Sequence, residues 1–441
     1  MKQKKMLFIA LAVLLVLIVG IVFLLKDDPN KTQQEQTTDE TTRQVAFSTE
    51  QENIKKVTYQ HSDEEFSIVL NGDVWVIENE PDLPVSQPRA DGVAYDFKEF
   101  NVTEVAEENA KDIQKYGLNP AQTTTTIEMK NGDAIPFYVG SKVQGENRYY
   151  VKIGADNTVY IADATQCETL LYSKQDMLAL NLQTLRSDEI KTIQFNHKGG
   201  ESFKIKQNHD SVEQDWSFIE PSGWGVDESV LDAKLLTFVS AIEAFEYVTD
   251  KTDAELGLDN PQVTVTTEML DGTIHTLAVG DVNAESGNVA IKVDGVKHPA
   301  IVDLQIIQLT KLTKFDIIDK TVEFVDYNDI QKVELDGELD FVLHYGDACQ
   351  LNDTAISKET AIKLYSDICE LTLDANGTIV SGTPVLTISH NFKNGTDKTF
   401  KIYKQDAYNY AITLDNDAFF TINRGTYLAW KEQIETYLVT E

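Results

Sequence analysis

Stretches in which apolar and polar residues alternate recur along most of the chain after residue 50. The run VTVTTE at 263–268 is the clearest, with valine or threonine at every second position. A period of two is typical of a half-buried β-strand. Gly257 precedes this run, and Asp271-Gly272 follows it as a predicted type I′ hairpin turn, in which both central residues need a positive φ. Asn131-Gly132 is predicted to form the same turn earlier in the chain. The stretch Gly257–Gly280 therefore predicts a helix cap, a strand, a tight turn and a second strand.

The same phrase occurs twice in the chain. The sequence GLDNPQVTVTTEMLDGTIHTLAVG at 257–280 matches GLNPAQTTTTIEMKNGDAIPFYVG at 117–140, and a degraded copy runs from Thr383-Pro384 to Asn394-Gly395. Three pairs of matching glycines are each 140 residues apart: Gly117 and Gly257, Gly132 and Gly272, and Gly140 and Gly280. A fixed period indicates an internal repeat.

The repeat divides the chain into three units, which we place at 51–187, 188–327 and 328–441. They open with the similar strands IKKVTYQ, IKTIQFN and IQKVELD, which begin at Ile54, Ile190 and Ile330. Trp75 and Trp216 begin matching third strands, and turns are predicted at Gly199-Gly200 and Asp336-Gly337. The third unit, 328–441, is divergent. A period near 140 residues is too long for a solenoid and indicates tandem domains.

Each unit is predicted to contain a helix after its third strand. Asp227–Tyr247 shows helical spacing of apolar residues. Those residues are Leu231, Leu235, Phe238, Val239, Ile242 and Phe245. Ser357 is a predicted N-cap in the third unit, and Gly92–Asn101 is a shorter, less regular counterpart in the first. Two further strands follow the hairpin, at Arg148–Ile153 and Thr158–Ala162 in the first unit and at Val289–Val293 and Ala300–Asp303 in the second. Short helices close the units at Gln166–Leu180, Leu304–Phe315 and Tyr427–Leu438. The predicted fold class is α+β, each unit being an antiparallel sheet with a helix packed on one face.

The beginning of the chain predicts a membrane anchor. Met6–Leu25 is twenty residues without a charge, long enough to cross a bilayer as a helix. Lysines precede it, so residues 1–26 are read as a cytoplasmic tip and transmembrane helix with the remainder outside the cell. A cleaved signal peptide is the alternative, but the apolar run is long and no small-residue cleavage site follows it. Residues 27–50 are polar and read as a flexible tether.

Charge narrows the classes of partner. The chain of 441 residues carries a formal net charge of −34 and has no run rich in lysine or arginine. Nucleic acid is therefore not an expected partner. Such a charge also disfavours lying flat on anionic lipid, so the expected contact with the membrane is the single N-terminal span.

A search for reaction chemistry assigns no catalytic, cofactor-binding or metal-binding residue, and no cofactor is expected. The seven histidines do not form a ligand pattern, and His275 and His344 fall on predicted strands. Gly140–Gly145 has phosphate-loop glycine spacing but lacks the lysine that should follow. The acidic cluster Asp415-Asn416-Asp417 lacks the glycine and glutamate of a calcium loop and predicts a turn.

The three cysteines are Cys167, Cys349 and Cys369. Cys167 begins a predicted short helix, where it is expected to be packed. Cys349 and Cys369 belong to one unit and are 20 residues apart. A disulfide between them is one hypothesis, and two buried thiols are the other.

Several of these residues resemble a known family. The motifs are Tyr116–Pro120 (YGLNP), Leu256–Pro261 (LGLDNP), Val139-Gly140, Val279-Gly280, and the strand Tyr149-Tyr150-Val151 before Val159-Tyr160. They resemble the signature of the family called domain of unknown function 4340 over roughly residues 54–325. The third unit lacks both the Gly-Leu and the Val-Gly dipeptide of this signature. The resemblance implies a bacterial, membrane-anchored protein, often encoded beside ABC-transporter parts linked to gliding or export. It implies no catalytic residues.

Two hypotheses about function follow. The first is a non-catalytic, membrane-anchored extracytoplasmic binding or scaffold protein, accessory to an ABC-type permease or to another envelope protein. The second is a cell-envelope hydrolase with a dispersed site. Tandem copies favour the first, because repeated domains offer an extended surface, and a cleft lined by converging polar groups would favour the second.

Overall fold

The computed structural model describes residues 43–209, 216–283, 286–322, 327–414 and 419–439. Within these ranges the chain is a sheet-rich α+β protein with several antiparallel sheets in tandem and few helices. The predicted anchor at Met6–Leu25 and the cluster at 415–417 lie outside the described residues. Within the described ranges no helix is both long and apolar enough to span a membrane.

The first unit contains ten strands. They are β1 (Gln44–Phe47), β2 (Ile54–Gln60), β3 (Glu65–Asn71), β4 (Val74–Ile77), β5 (Phe100–Val102), β6 (Glu104–Glu107), β7 (Thr123–Met129), β8 (Ala134–Lys142), β9 (Arg148–Ile153) and β10 (Val159–Asp163). Its helices are α1 (Gln87–Asp96), α2 (Ala164–Glu168), α3 (Lys174–Met177) and the 3-10 turns Gln51–Asn53 and Gln114–Tyr116. The main sheet has the order β4-β3-β2-β7-β8-β9-β10-β6, with antiparallel neighbours.

The second unit repeats this topology in the order β14-β13-β12-β17-β18-β19-β20-β16. Its strands are β11 (Asn181–Thr184), β12 (Ile190–His197), β13 (Phe203–Gln207), β14 (Trp216–Glu220), β15 (Ala241–Glu243), β16 (Glu246–Tyr247), β17 (Val263–Met269), β18 (Ile274–Val282), β19 (Val289–Val293) and β20 (Ala300–Ile301). Its helices are α4 (Glu228–Leu231), a π-helical turn (Asp232–Leu236), α5 (Thr237–Ser240), α6 (Lys314–Ile317) and the 3-10 segments Ser187–Glu189 and Leu304–Lys311.

The third unit has the order β24-β23-β22-β21-β26-β27-β28-β29-β25, with one additional edge strand. Its strands are β21 (Ile330–Gly337), β22 (Phe341–His344), β23 (Cys349–Leu351), β24 (Thr354–Ile356), β25 (Ala375–Asn376), β26 (Leu386–Phe392), β27 (Asp397–Lys404), β28 (Asn409–Leu414) and β29 (Phe419–Asn423). Its helices are α7 (Lys358–Cys369) and α8 (Arg424–Leu438). The hydroxyl of Ser357 accepts a hydrogen bond from the Thr360 amide at 3.0 Å, which confirms the predicted N-cap.

The predicted helix Asp227–Tyr247 is wrong in its last third. Asp227 caps the helical segment as its side chain accepts from the Val230 amide, but the helix ends at Ser240 and the chain continues as β15 and β16. Ile242 is buried on strand β15, and Phe245 is 60% exposed. A buried Ile242 is compatible with the 3.6-residue period of a helix and with the two-residue period of a strand. The spacing of apolar residues alone therefore did not reveal the change from helix to strand.

Three predicted turns also differ. Gly132 and Gly272 have φ values of 93° and 87°, whereas Asn131 and Asp271 are not in the positive-φ region, so these hairpins are not type I′. The Gly132 amide donates to the Met129 carbonyl at 2.9 Å, the pattern of a longer loop that ends in a left-handed glycine. The third predicted turn, Asp336-Gly337, lies within β21, and the chain turns after it.

Each of the first two units has a small two-stranded ribbon beside its main sheet. Strand β1 pairs with β5 of its own unit, and β11, which follows the first closing helix, pairs with β15 of the second unit. An isolated β-bridge between Thr321 and Thr372 takes the place of such a ribbon before the sheet of the third unit. The C-terminal end of the predicted tether is thus structured as β1, and the Phe47 ring lies 5.3 Å from that of Phe137.

The apolar cores of the second and third units are continuous. Trp224, which follows β14, is 2% exposed, and its ring lies 4.7 Å from that of Phe420 and 5.7 Å from that of Phe400. Both phenylalanines belong to the third sheet. Trp224 is therefore the aromatic anchor between these two units.

Candidate functional site

The repeated Gly-Leu and Val-Gly dipeptides contact each other. Gly117 ends the Gln114–Tyr116 turn with φ 68°, and Gly140 lies where the register between β8 and β9 shifts. A Cβ atom at Gly140 would overlap the Tyr116 carbonyl oxygen and lie 3.0 Å from the Leu118 side chain. The turn therefore packs directly on a β-bulge that must be glycine. We call this contact the glycine lock.

The second unit has the same lock. Gly257 has φ 70°, a Cβ at Gly280 would overlap the Leu256 carbonyl oxygen, and the Asp281 amide donates to that oxygen at 2.9 Å. The third unit lacks both dipeptides, and its β27 and β28 pair without a register shift. The repeated phrase is thus a structural device, as expected from its turn residues.

In the first unit, side chains fill the space over the lock. The Tyr116 and Tyr150 rings lie 4.8 Å apart, and the Tyr116 hydroxyl donates to Glu107 Oε2 at 2.7 Å. Lys115 Nζ lies 2.6 Å from the same oxygen. Hydrogen bonds from Lys115 and Tyr116 lower the pKa of the Glu107 carboxyl. We call these four residues the Tyr116 block.

In the second unit the same place is an open cleft of about 700 Å³. The residues 140 positions after Lys115, Tyr116 and Tyr150 are Glu255, Leu256 and Ala290, so both rings are missing. The cleft, which we call the second-unit cleft, is lined by these three residues and by several polar ones. The charged lining residues are Glu246, Asp250, Lys251, Glu255 and Asp281.

A further cleft, of about 640 Å³, lies beside α1 in the first unit. The Arg89 guanidinium lies 5.7 Å from the Tyr172 ring centroid, and the Tyr95 ring is 61% exposed. Burial raises the pKa of the Asp96 carboxyl, and a hydrogen bond with Thr169 opposes that shift. This α1 cleft combines a cation, aromatic rings and a carboxyl of raised proton affinity.

Two histidines at matching positions tie the sheets to the closing segments. His61 Nε2 lies 2.9 Å from the Tyr172 carbonyl oxygen, and His197 Nε2 lies 2.7 Å from that of Thr310. Each Nε2 is therefore the protonated nitrogen, since a carbonyl oxygen only accepts. His275 and His344 lie on strands β18 and β22, as the sequence predicted.

His390 is a fully buried histidine with no partner for either ring nitrogen among the described residues. Burial, with a smaller effect of Lys398, lowers its pKa from 6.5 to about 4. The rings of Tyr365, Phe392 and Phe400 surround it. It is thus neutral in the folded protein at pH 7.

His390 is expected to make the stability fall in acid. Between about pH 6.5 and pH 4 the unfolded histidine is protonated and the folded one is not, so the free energy of unfolding falls by about 3 kcal/mol as the pH falls through this window. Urea unfolding across the window measures the slope. His390→Phe should reduce it, whereas His344→Phe, at an exposed position, should not. An identical slope in both variants would contradict the assignment.

The three cysteines are buried and are not disulfide-bonded. The hypothesis of a Cys349–Cys369 disulfide is therefore wrong, and the alternative of buried thiols holds. Burial raises the pKa of the Cys167 thiol to about 12. Cys167 is a packed residue of α2, as expected.

The described ranges contain no group of three His, Cys, Asp or Glu side chains placed to hold a metal ion. Gly140–Gly145 begins inside β8 and leads to β9 and not to a helix, so it is not a phosphate loop. The sequence predicted no site residues, and it missed both clefts. The signal that was available for the second-unit cleft is the loss of two tyrosines between the aligned repeats, at Leu256 and Ala290.

Together, the locks and sheets define a class of protein: a tandem array of antiparallel α+β units, the first two of which carry the glycine lock. A family model described as domain of unknown function (DUF4340) matches residues 75–253 and 216–367, which together span more than half of the chain. The chain therefore belongs to this family. Both matched segments begin at the tryptophan of a third strand, Trp75 or Trp216. No curated protein and no solved structure matches the chain.

Proposed function

We propose that this protein is a non-catalytic binding or scaffold component of the cell envelope. It is held by a single N-terminal transmembrane helix at Met6–Leu25, with its N-terminus in the cytoplasm and its tandem units outside. Its proposed partner is an ABC-type permease of the export or gliding type, or another envelope protein. A protease added to intact protoplasts should digest the units if this orientation is correct.

The observation that carries the proposal is the open second-unit cleft on a scaffold whose first copy is closed by its own side chains. A concave, charged surface on a repeated scaffold is suited to recognition. The net charge of −34 favours a partner that presents basic groups. The apolar run at Met6–Leu25 supports the anchor, and the family resemblance supports a transporter as neighbour.

The test is photo-crosslinking in living cells. A photoreactive residue replaces Val282, a cleft-lining residue that is 42% exposed, or Ile379 of the third unit, which is 86% exposed, as the control. We expect mass spectrometry to recover a polytopic permease or another envelope protein from position 282 and not from position 379. Equal recovery of the same unrelated soluble proteins from both positions would overturn the proposal.

A cell-envelope hydrolase is the second candidate, and the α1 cleft favours it. Burial of Asp96 keeps its carboxyl protonated to higher pH than usual, which is a property of general acids. Arg89 and Tyr172 lie in the same wall. Release of soluble fragments from purified cell wall by the full chain, abolished in Asp96→Asn, would decide for the hydrolase and against the scaffold.

A further inference from the structure

We infer that the second-unit cleft binds a basic segment of a partner protein that carries an aromatic side chain next to a lysine or arginine. The ligand would take the place that the Tyr116 block occupies in the first unit. This inference deepens the proposed binding function, on which it rests, by naming the site and the chemistry of the partner.

The first step is that the two units offer the same frame around this place. The locks at Gly117 and Gly257 are equivalent, and the register between the neighbouring strands shifts after Val139 in one unit and after Val279 in the other. The offset of 140 residues continues into β9 and β19. A group that packs over the lock in the first unit therefore has the same backbone framework around it in the second.

The second step is that the frame has room for a ring. In the first unit the Tyr116 ring packs against that of Tyr150 over the lock, at an interplanar angle of 53°, whereas the second unit has Leu256 and Ala290 there. These two side chains leave an apolar floor beneath a cleft of about 700 Å³. Burial of an aromatic ring on such a floor is favourable because it removes apolar surface of both partners from water.

The third step is that the second unit lacks two cations of the first. Arg148 Nη1 lies 3.2 Å from Glu104 in the first unit, and Lys115 neutralises Glu107. The residues 140 positions later are Asn288 and Glu255.

The carboxylate of Glu104 has a counterpart in the second unit. Glu246 pairs with Ile301 as Glu104 pairs with Ile161, so these two glutamates are equivalent. In the described ranges Glu246, Asp250, Glu255 and Asp281 line the cleft with Lys251 as the one basic residue. The missing positive charges are those that a basic ligand would supply.

The test uses two short probes and the full chain in detergent micelles. The probes are the acetylated tripeptide amides lysine-tyrosine-lysine and glutamate-tyrosine-glutamate. Saturation-transfer NMR and calorimetry measure their binding to the chain. We expect the basic peptide to bind and the acidic one not to bind. Raising the salt from about 0.01 M to about 1 M, which shortens the Debye length roughly tenfold, should weaken the binding about tenfold.

The decisive variant closes the cleft with the residues of the first unit. Leu256→Tyr combined with Ala290→Tyr should fold, because the first unit packs this pair on the same frame, and should lose at least about tenfold in affinity for the basic peptide. If the double variant does not fold, Glu255→Lys provides a second test. Its control is Asp353→Lys, which makes the same change of charge at an exposed position of the third unit. Binding should weaken in Glu255→Lys and not in Asp353→Lys.

Three results would overturn the inference: no binding by the wild-type chain, equal binding of both peptides, or unchanged binding in the folded cleft-closed variant and in Glu255→Lys. These results would leave the proposed scaffold role standing, because that role is tested by crosslinking in cells. Conversely, peptide binding without a crosslinked envelope partner would support the cleft and count against the scaffold role.

Discussion

Gly257→Val is expected to destabilise the second unit by about 3 kcal/mol. Gly257 has φ 70°, a conformation that costs a residue with a Cβ atom about 1–2 kcal/mol. A Cβ at this position would also lie 2.5 Å from Asp281 Cγ and 2.9 Å from the Asp281 amide nitrogen, which belongs to the lock and has little freedom to move. Thermal unfolding followed by circular dichroism measures the loss.

Gly272 provides the matched control. It also has a positive φ, 87°, but a Cβ there would have nothing within 4 Å. Gly272→Val should therefore show the conformational cost alone, about 1–2 kcal/mol. If Gly257→Val left the melting midpoint unchanged, the cap assignment would be wrong, and if both variants lost the same stability, the steric part of the lock would be absent.

Trp224→Ala is expected to have the second large effect, a loss of about 3–5 kcal/mol with separation of one unfolding transition into two. Trp224 joins the cores of the second and third units through Phe400 and Phe420. Truncation would leave a cavity between two sheets, each of which keeps its own hydrogen bonds. Differential scanning calorimetry distinguishes a single cooperative transition from two independent ones.

Trp216→Ala is the control for this variant. Trp216 is 4% exposed and begins β14 within the second unit. Its loss should lower the stability of that unit by a similar amount without adding a separate transition for the third. One transition in Trp224→Ala, at a lowered midpoint, would show that the remaining apolar contacts and hydrogen bonds between the two units, such as that from Asn376 to Glu201, suffice for their cooperation.

Strand positions could be predicted from the sequence because alternation and repeat alignment support each other. The predicted strands Arg148–Ile153 and Val289–Val293 coincide with β9 and β19. Trp75 and Trp216 do lie at the third strands, and Ser357 does cap a helix. These features depend on neighbours in sequence, on which a local pattern reports directly.

Features that depend on distant partners were not predictable in this way. The ribbon strands β1 and β11 are short and gain their structure from β5 and β15. Gly337 continues β21 because it pairs with Leu386, although Asp-Gly usually favours a turn. The second-unit cleft arises from atoms that Leu256 and Ala290 lack, and a pattern of apolar residues is equally satisfied by leucine, alanine or tyrosine at those positions.

The ribbons also place the boundary between the first and second units, which we call the seam, at the peptide bond between Ala179 and Leu180. The Ala179 amide donates to the Pro84 carbonyl of the first unit, whereas the Leu180 carbonyl accepts from the Ala244 amide of the second. A second unit expressed from residue 188 would lack β11 and leave β15 unpaired. One expressed from Leu180 would keep its ribbon whole. Duplication or exchange of whole units during evolution would preserve every strand pairing only at this seam, so shuffled or lengthened relatives should be joined there.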